Sequence, residues 1–230
     1  MSKLKCVALL PMKAHSERVK GKNFREFIDK PLFEWTLGNL LDVEAVDQVV
    51  INTDAEDILE HKYEILKHPK VLTRERREAI RGDFVSMNKV IADDLEATDA
   101  DFYLMTHTTN PLISSATFAA AVEKYLEINQ GTEYDSLFSV NRFQSRFYDS
   151  QLKAVNHDPN VLLRTQDLPP LYEENSCFYL FNHESFRKTD SRIGATPFLF
   201  DTPRLESVDI DDQETWDLAE SIYQIGKTAK

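Results

Sequence analysis

The sequence is poor in cysteine and glycine, has no excess of positive charge, and holds no long apolar run. Its two cysteines, Cys6 and Cys177, are too few for a disulfide framework. Both sit in strand-like surroundings, "KCVALL" and "NSCFYLF", and are expected to be buried free thiols of a cytoplasmic protein, with a disulfide or catalytic pair as the alternative. Six glycines in 230 residues form no G-x-G-x-x-G and no Walker sequence, which argues against dinucleotide-binding and P-loop readings. Lys and Arg total 27 against 39 Asp and Glu, a net charge of −12, so nonspecific nucleic-acid binding is not expected. No stretch approaches the roughly 20 apolar residues of a membrane span. The N-terminal apolar run is too short for a secretory signal, so no membrane partner is expected.

What is present is an ordinary globular composition, 42% hydrophobic, at a length suited to one α/β domain over residues 1–230. Short β-like runs alternate with amphipathic stretches. "KCVALLP" (5–11), "VDQVVINTD" (46–54), "DFYLMTHTTNPLI" (101–113) and "YDSLFSVNRF" (134–143) read as strands and their exits. "PLFEWTLGNLLDV" (31–43), "FVSMNKVIADDLEA" (84–97) and "ATFAAAVEKYLEI" (116–128) read as helices. The alternation predicts a mostly parallel sheet with helices on both faces, and ligands beyond the carboxyl ends of its strands. From about 142 to 193 the rhythm changes to turn signals and short β-like pieces, which predicts a small antiparallel excursion suited to meeting a second subunit.

Two clusters carry candidate chemistry. In "LLPMKAHSERVKGKNFREF" (9–27) five basic residues, Lys13, Arg18, Lys20, Lys22 and Arg25, crowd a strand-to-helix connection of an acidic protein. Free backbone N–H groups and lysine charges there suit a polyphosphate, although a solvated basic turn would look the same. In "VDID", Asp209 and Asp211 are alternate residues of an extended stretch and can face one point, as Mg²⁺ beside a triphosphate requires. Helix capping is an equal account of Asp211 but not of Asp209.

At these residues the chain resembles the acylneuraminate cytidylyltransferases. "LPMKAHSERVKGKN" is similar to the family's N-terminal signature, and "RREAIRGDFVSMN", "THTTNPL", "YEENSCFYLF" and "SVDIDDQETWDLAE" follow in the family's order, from about residue 4 to 224. The resemblance implies a Rossmann-like sheet of the nucleotide-diphospho-sugar transferase type, a homodimer, and a Mg²⁺-dependent reaction. CTP and a sugar acid would give a CMP-sugar and pyrophosphate. It implies nucleotide-binding roles for Lys13, Ser16, Arg18, Lys22, Asn23, Arg76 and Asp83, acceptor-side roles for His107 and Asn175, and metal ligation by Asp209 and Asp211. Lys22 and the two aspartates are the expected catalytic residues.

The departures fall mostly on the acceptor side, with one, Lys13, on the nucleotide side. Lys13 stands for the family's first arginine, His107 for a glutamine, and Met87 for a small hydroxyl residue. Glu173 stands where several members have an arginine facing the sugar's acid group. It would repel a carboxylate, unless it turns outward or pairs with a nearby arginine. The acid would then fall to Arg142, Arg146 or Arg164. His107 is the one candidate for a general base. Alternative acceptors are an octulosonic acid or a phosphorylated or phosphonate compound. A glycosyltransferase and a non-catalytic nucleotide-binding homologue remain competing readings.

Overall fold

Alternation along the first strand sets the layering. Cys6, Ala8 and Leu10 join one hydrophobic cluster and Val7 and Leu9 another, so β1 (Cys6–Leu9) is buried on both faces. The computed structural model describes residues 3–228 apart from Glu17 and Thr132.

After β1 come a small hairpin of β2 (Glu26–Phe27) and β3 (Lys30–Pro31), α1 (Leu32–Leu41), β4 (Val46–Thr53), α2 (Glu56–Leu59) and β5 (Val71–Glu75). The chain continues through α3 (Met87–Ala97), β6 (Phe102–Thr106), α4 (Ser115–Ile128) and β7 (Ser136–Phe143). It ends with β8 (Leu171–Phe181), α5 (His183–Thr189), β9 (Pro197–Asp201) and α6 (Gln213–Thr228). The main sheet has the order β5-β4-β1-β6-β8-β7-β9. Only β8 runs antiparallel to its neighbours β6 and β7; the other pairings are parallel.

On one face α1 supplies Phe33, Leu37 and Leu40, and α4 supplies Phe118, Ala121, Val122 and Tyr125. On the other, α3 supplies Ile91 and Leu95, and α5 supplies Phe186. Each fully buried Val, Leu, Ile or Phe among them contributes about 1.5–3 kcal/mol of transfer free energy. Ser86, Ser114 and Asn182 cap α3, α4 and α5 by accepting from the first-turn amides of Asn88, Thr117 and Ser185. Among the described residues, no helix is long and apolar enough to cross a membrane.

A third cluster joins the chain ends. Trp216 and Ala219 of α6 pack on Val19, Phe27 and Leu32, and the Arg25 guanidinium lies 4.2 Å over the Trp216 ring. This contact brings the acidic turn before α6 against the basic loop after β1.

Two expectations change. The segment 142–193 is not one antiparallel excursion, because β8 is a strand of the main sheet and α5 covers its face. Cys177, Phe178, Tyr179, Leu180 and Phe181 are fully buried, and that apolar run drives β8 into the core. The arm proper is the irregular stretch 144–170. Nor is "VDID" a strand: residues 208–211 form no ladder, and the Ile210 amide donates singly to the carbonyl of Thr109 at 2.8 Å.

Candidate active site

A cavity of about 410 Å³ opens beyond the carboxyl ends of β1, β5 and β6, the position expected for a ligand in such a sheet. Lys13, Ser16, Arg18, Lys22, Asn23, Arg76, Asp83 and His107 all line it.

The basic loop is built from inside. Gly21 takes a left-handed conformation at φ 65°, open to glycine at no steric cost, and starts a tight turn over Lys22–Phe24. Asn23, expected at the nucleotide, spends its side chain on the loop itself. Its amide donates to the Lys13 carbonyl at 2.8 Å, and its oxygen accepts from the Thr108 hydroxyl at 2.7 Å. Lys22 is buried and donates to the Ile210 carbonyl at 2.6 Å. Burial pulls its ammonium below the ordinary lysine value, while Asp211 and Asp209 pull the other way. Lys13 pairs with Asp83 across the mouth.

Arg76 is the most buried of the cations lining the cavity. Its Nε donates to Asn52 Oδ1 at 2.9 Å, and Nη2 donates to the carbonyls of Asn52 at 2.8 Å and Met12 at 3.2 Å. Asn52 is fixed by its amide, which donates to Asp94 at 2.7 Å and Asp93 at 3.3 Å. Arg74 closes the group by pairing with both aspartates. Burial raises Asp94 to about 6 against the pull of Asn52 and Arg74.

Asp211 takes Arg18 at 2.9 Å and Lys22 at 3.8 Å. Asp209 is more deeply placed, and its Oδ1 is buried with no hydrogen-bond partner among the described residues. Burial pushes its carboxyl above the ordinary range; the Thr109 hydrogen bond opposes that push, the Asp211 charge adds to it, and Lys22 and Arg18 weigh against it. A buried carboxylate oxygen left without a donor is what a hard cation would satisfy, so this pair fits Mg²⁺. Among the described residues no group of three or more acidic, His or Cys side chains could hold a metal. The remaining ligands would be phosphate oxygens and water. Capping of α6 falls to the neighbouring Asp212, whose carboxylate accepts from the Thr215 amide at 2.8 Å.

The acceptor-side candidates do not gather at this cavity, except His107. Arg142 lies at a shallow second depression with Asp201, Thr202, Pro203 and Arg204. Arg164 forms a two-pronged pair with Asp167 at 2.7 and 3.0 Å, and Arg146 donates to the Leu163 carbonyl. Glu173 is exposed and accepts from the Asn141 amide at 2.9 Å, turned outward in this chain. Asn175 is buried, donating to Asn141 and Thr202 and accepting from the Cys177 amide at 3.2 Å. It stitches the irregularity where the β7–β8 register shifts and Ser176 takes φ 59°. His107 does not suit a general base, because its Nε2 faces an arginine at 3.2 Å.

Sequence reasoning missed Asn52, Arg74, Asp93 and Asp94. "NTD" at the end of β4 was the available sign, since a buried asparagine needs partners. It also missed Arg192, which no motif marks.

Comparison with known proteins agrees with this geometry. The chain is 25% identical over 233 residues to the pseudaminic acid cytidylyltransferase of Campylobacter jejuni, covering 96% of this chain and 97% of that protein. It is 24% identical over 236 residues to the CMP-N,N'-diacetyllegionaminic acid synthase of Legionella pneumophila, covering 98% and 99%. In fold it is similar to a CMP:2-keto-3-deoxy-manno-octonic acid synthetase complexed with CTP, with a TM-score of 0.65 and 13% identity over 96% of this chain and 99% of that one. The cytidylyltransferase family model matches residues 7–226, and the chain belongs to that family.

Proposed function

We propose that this protein joins CTP to an acidic sugar of the nonulosonic type, giving a CMP-sugar and pyrophosphate, with Mg²⁺, as a cytoplasmic homodimer. The observation that carries the reading is the meeting of Lys22 and Arg18 with Asp211, and of Lys22 with the charge of Asp209, beside a cavity that Lys22, Arg18 and Arg76 line at the carboxyl end of a parallel sheet. The names of the Campylobacter and Legionella relatives supply the acceptor class.

An acceptor hydroxyl oxygen attacks the α-phosphorus of CTP, its proton passes to solvent water, and the bond to the pyrophosphate oxygen breaks. Charge grows on the phosphoryl oxygens and the leaving group, so the chain's task is positioning and neutralisation. Lys22 and Arg18 face that charge from the basic loop. Arg76 has Nη1 without a partner among the described residues, while its other nitrogens fix its direction. Asp209 and Asp211 would hold Mg²⁺, which when bound neutralises phosphate oxygens and favours the deprotonated acceptor.

Exposed apolar side chains on and beside the arm, among them Tyr148, Leu152, Val161, Leu162 and Tyr172, support self-association. A second copy is also what would bring Arg142, Arg164 and Glu173 to a cavity they do not reach in one chain. Two buried, unpaired thiols suit a reducing cytoplasm.

The test is pyrophosphate release with CTP, Mg²⁺ and a panel of pseudaminic, legionaminic, N-acetylneuraminic and octulosonic acids. Turnover with a nine-carbon acid is expected, together with preference for CTP over ATP, GTP and UTP. Turnover with the octulosonic acid alone, or with no acid, overturns the reading.

A further inference from the structure

Arg192, in the loop between α5 and β9, lies outside every motif singled out from the sequence. Its guanidinium lies 3.8 Å over the Tyr179 ring. Nη2 donates to the Tyr179 hydroxyl at 2.8 Å and stands 3.5 Å from Glu174 Oε1, which the same hydroxyl also contacts. Nη1 lies 3.2 Å from His107 Nε2 and 3.8 Å from the Met105 sulfur.

The loop that carries Arg192 is itself pinned. The amides of Ala195 and Thr196 donate to the Asp135 carboxylate at 2.9 and 3.0 Å, and the Gly194 amide donates to Ser136 Oγ at 2.9 Å. A Cβ on Gly194 would lie 2.2 Å from Asp135 Oδ1, so glycine alone lets that carboxylate reach the amides.

A guanidinium has donors only. The His107 nitrogen facing it must therefore accept, and a neutral imidazole accepting at Nε2 carries its proton on Nδ1. Nδ1 has no hydrogen-bond partner among the described residues, and His107 lines the cavity. We infer that Arg192 is a positioning residue: by occupying Nε2 it holds His107 as the Nδ1–H tautomer, a hydrogen-bond donor and not a base, for an acceptor-only oxygen of the small molecule bound there.

The charges around the ring agree. Burial, then the Arg192 and Lys22 cations, push the imidazole down to about 3. Tyr179 is kept neutral by burial, and Glu174 is engaged by Arg192 and Tyr179. A ring donor selects a carboxylate or carbonyl oxygen over an amine. Assigning that oxygen to the acceptor sugar rests on the function proposed above; the tautomer does not.

Long-range ¹H–¹⁵N correlation spectra of the free, ¹⁵N-labelled protein separate the two. A protonated Nδ1 and an unprotonated Nε2 on His107, unchanged between about pH 5 and 8, are expected. A proton on Nε2, or an imidazolium titrating in that range, overturns the inference. In Arg192→Met nothing holds Nε2 unprotonated, so the ring should take up mixed tautomers, while burial and Lys22 still keep it below the ordinary histidine value. Its kcat/KM for the acid should fall about tenfold, one hydrogen bond's worth, with the KM for CTP unchanged. His107→Asn, which keeps an N–H near the Nδ1 position, should retain more activity than His107→Leu. Unchanged spectra and unchanged kcat/KM in Arg192→Met overturn the assignment. The expected wild-type spectrum without any CTP turnover would instead sink the proposed function and leave the tautomer standing.

Discussion

The Lys22 ammonium donates to the backbone carbonyl of Ile210, 2.6 Å away and 188 residues along the chain. One side chain thereby holds the basic loop against the acidic turn and sets the spacing between the cations and Asp209 and Asp211. Lys22→Ala is expected to cost about 2–4 kcal/mol of transition-state stabilisation, read from kcat/KM with CTP. Lys20 is exposed and does not line the cavity, so Lys20→Ala should change kcat/KM by less than about threefold. Equal losses would mean that the loop acts as a diffuse basic patch.

Asp209 and Asp211 should separate in their effects. Asp209 has a buried oxygen with no donor, whereas Asp211 is also the partner of Arg18 and Lys22. Asp209→Asn should abolish the Mg²⁺ response of turnover while metal-free CTP binding, measured by calorimetry, stays near normal. Asp211→Asn should alter both, because it also releases the two cations. Near-normal turnover of Asp209→Asn at limiting Mg²⁺ would remove that residue from the metal site.

The layering and the basic loop were readable because their signals are local. Cys6 to Leu10, β1 and the residue after it, alternate between two cores, and the loop's cations follow one another between Lys13 and Arg25. Arg192 gave no such signal: its contact with His107 joins residues 85 apart, and "DSRIGAT" reads as an ordinary turn. The acceptor-side residues stay away from the cavity of their own chain for the opposite reason. Arg164, Glu173 and Asn175 sit in motif-like positions, yet Asp167, Asn141 and Thr202 take up their polar atoms locally. Sequence pattern places residues on elements but does not reveal which neighbour claims a side chain.

The Arg76 clamp is open to test through Asn52, which does not line the cavity. Removing its side chain frees Arg76 Nε and leaves Asp93 and Asp94 with fewer donors. Asn52→Ala should weaken CTP binding by about 1–3 kcal/mol, the cost of unpairing buried polar groups. The fold should also lose stability in urea. If CTP affinity is unchanged while stability falls, Arg76 does not need that partner to bind nucleotide.

The thiols give a pH prediction. Burial raises Cys6 from 9.0 to about 12, and it raises Cys177 as well. A group whose folded value lies above its unfolded one contributes stability below the unfolded value and loses it as pH rises through the folded one. For Cys6 that loss begins near pH 9 and is complete near 12. Native protein at pH 8 should therefore resist alkylation at both sites, and urea-unfolded protein should react at both. Rapid labelling of the native form would show that the core opens locally around β1 or β8.

The arm should be separable from the nucleotide cavity. Leu152 and Leu162 are 85% and 89% exposed, an arrangement that costs nothing only if another surface covers them. No residue of the 144–170 arm lines the cavity, so CTP binding is expected to be independent of the arm. If the proposed dimer forms through the arm, Leu152→Glu with Leu162→Glu should leave a monomer by light scattering, because two buried charges at an interface oppose association. CTP affinity should stay within about twofold of wild type while turnover of the acid falls by at least tenfold, the loss of roughly 1.4 kcal/mol of acceptor binding. A variant that remains dimeric would place the interface elsewhere. A monomer with full turnover would show that the acceptor is held within one chain, leaving Arg142, Arg164 and Glu173 no part in binding it.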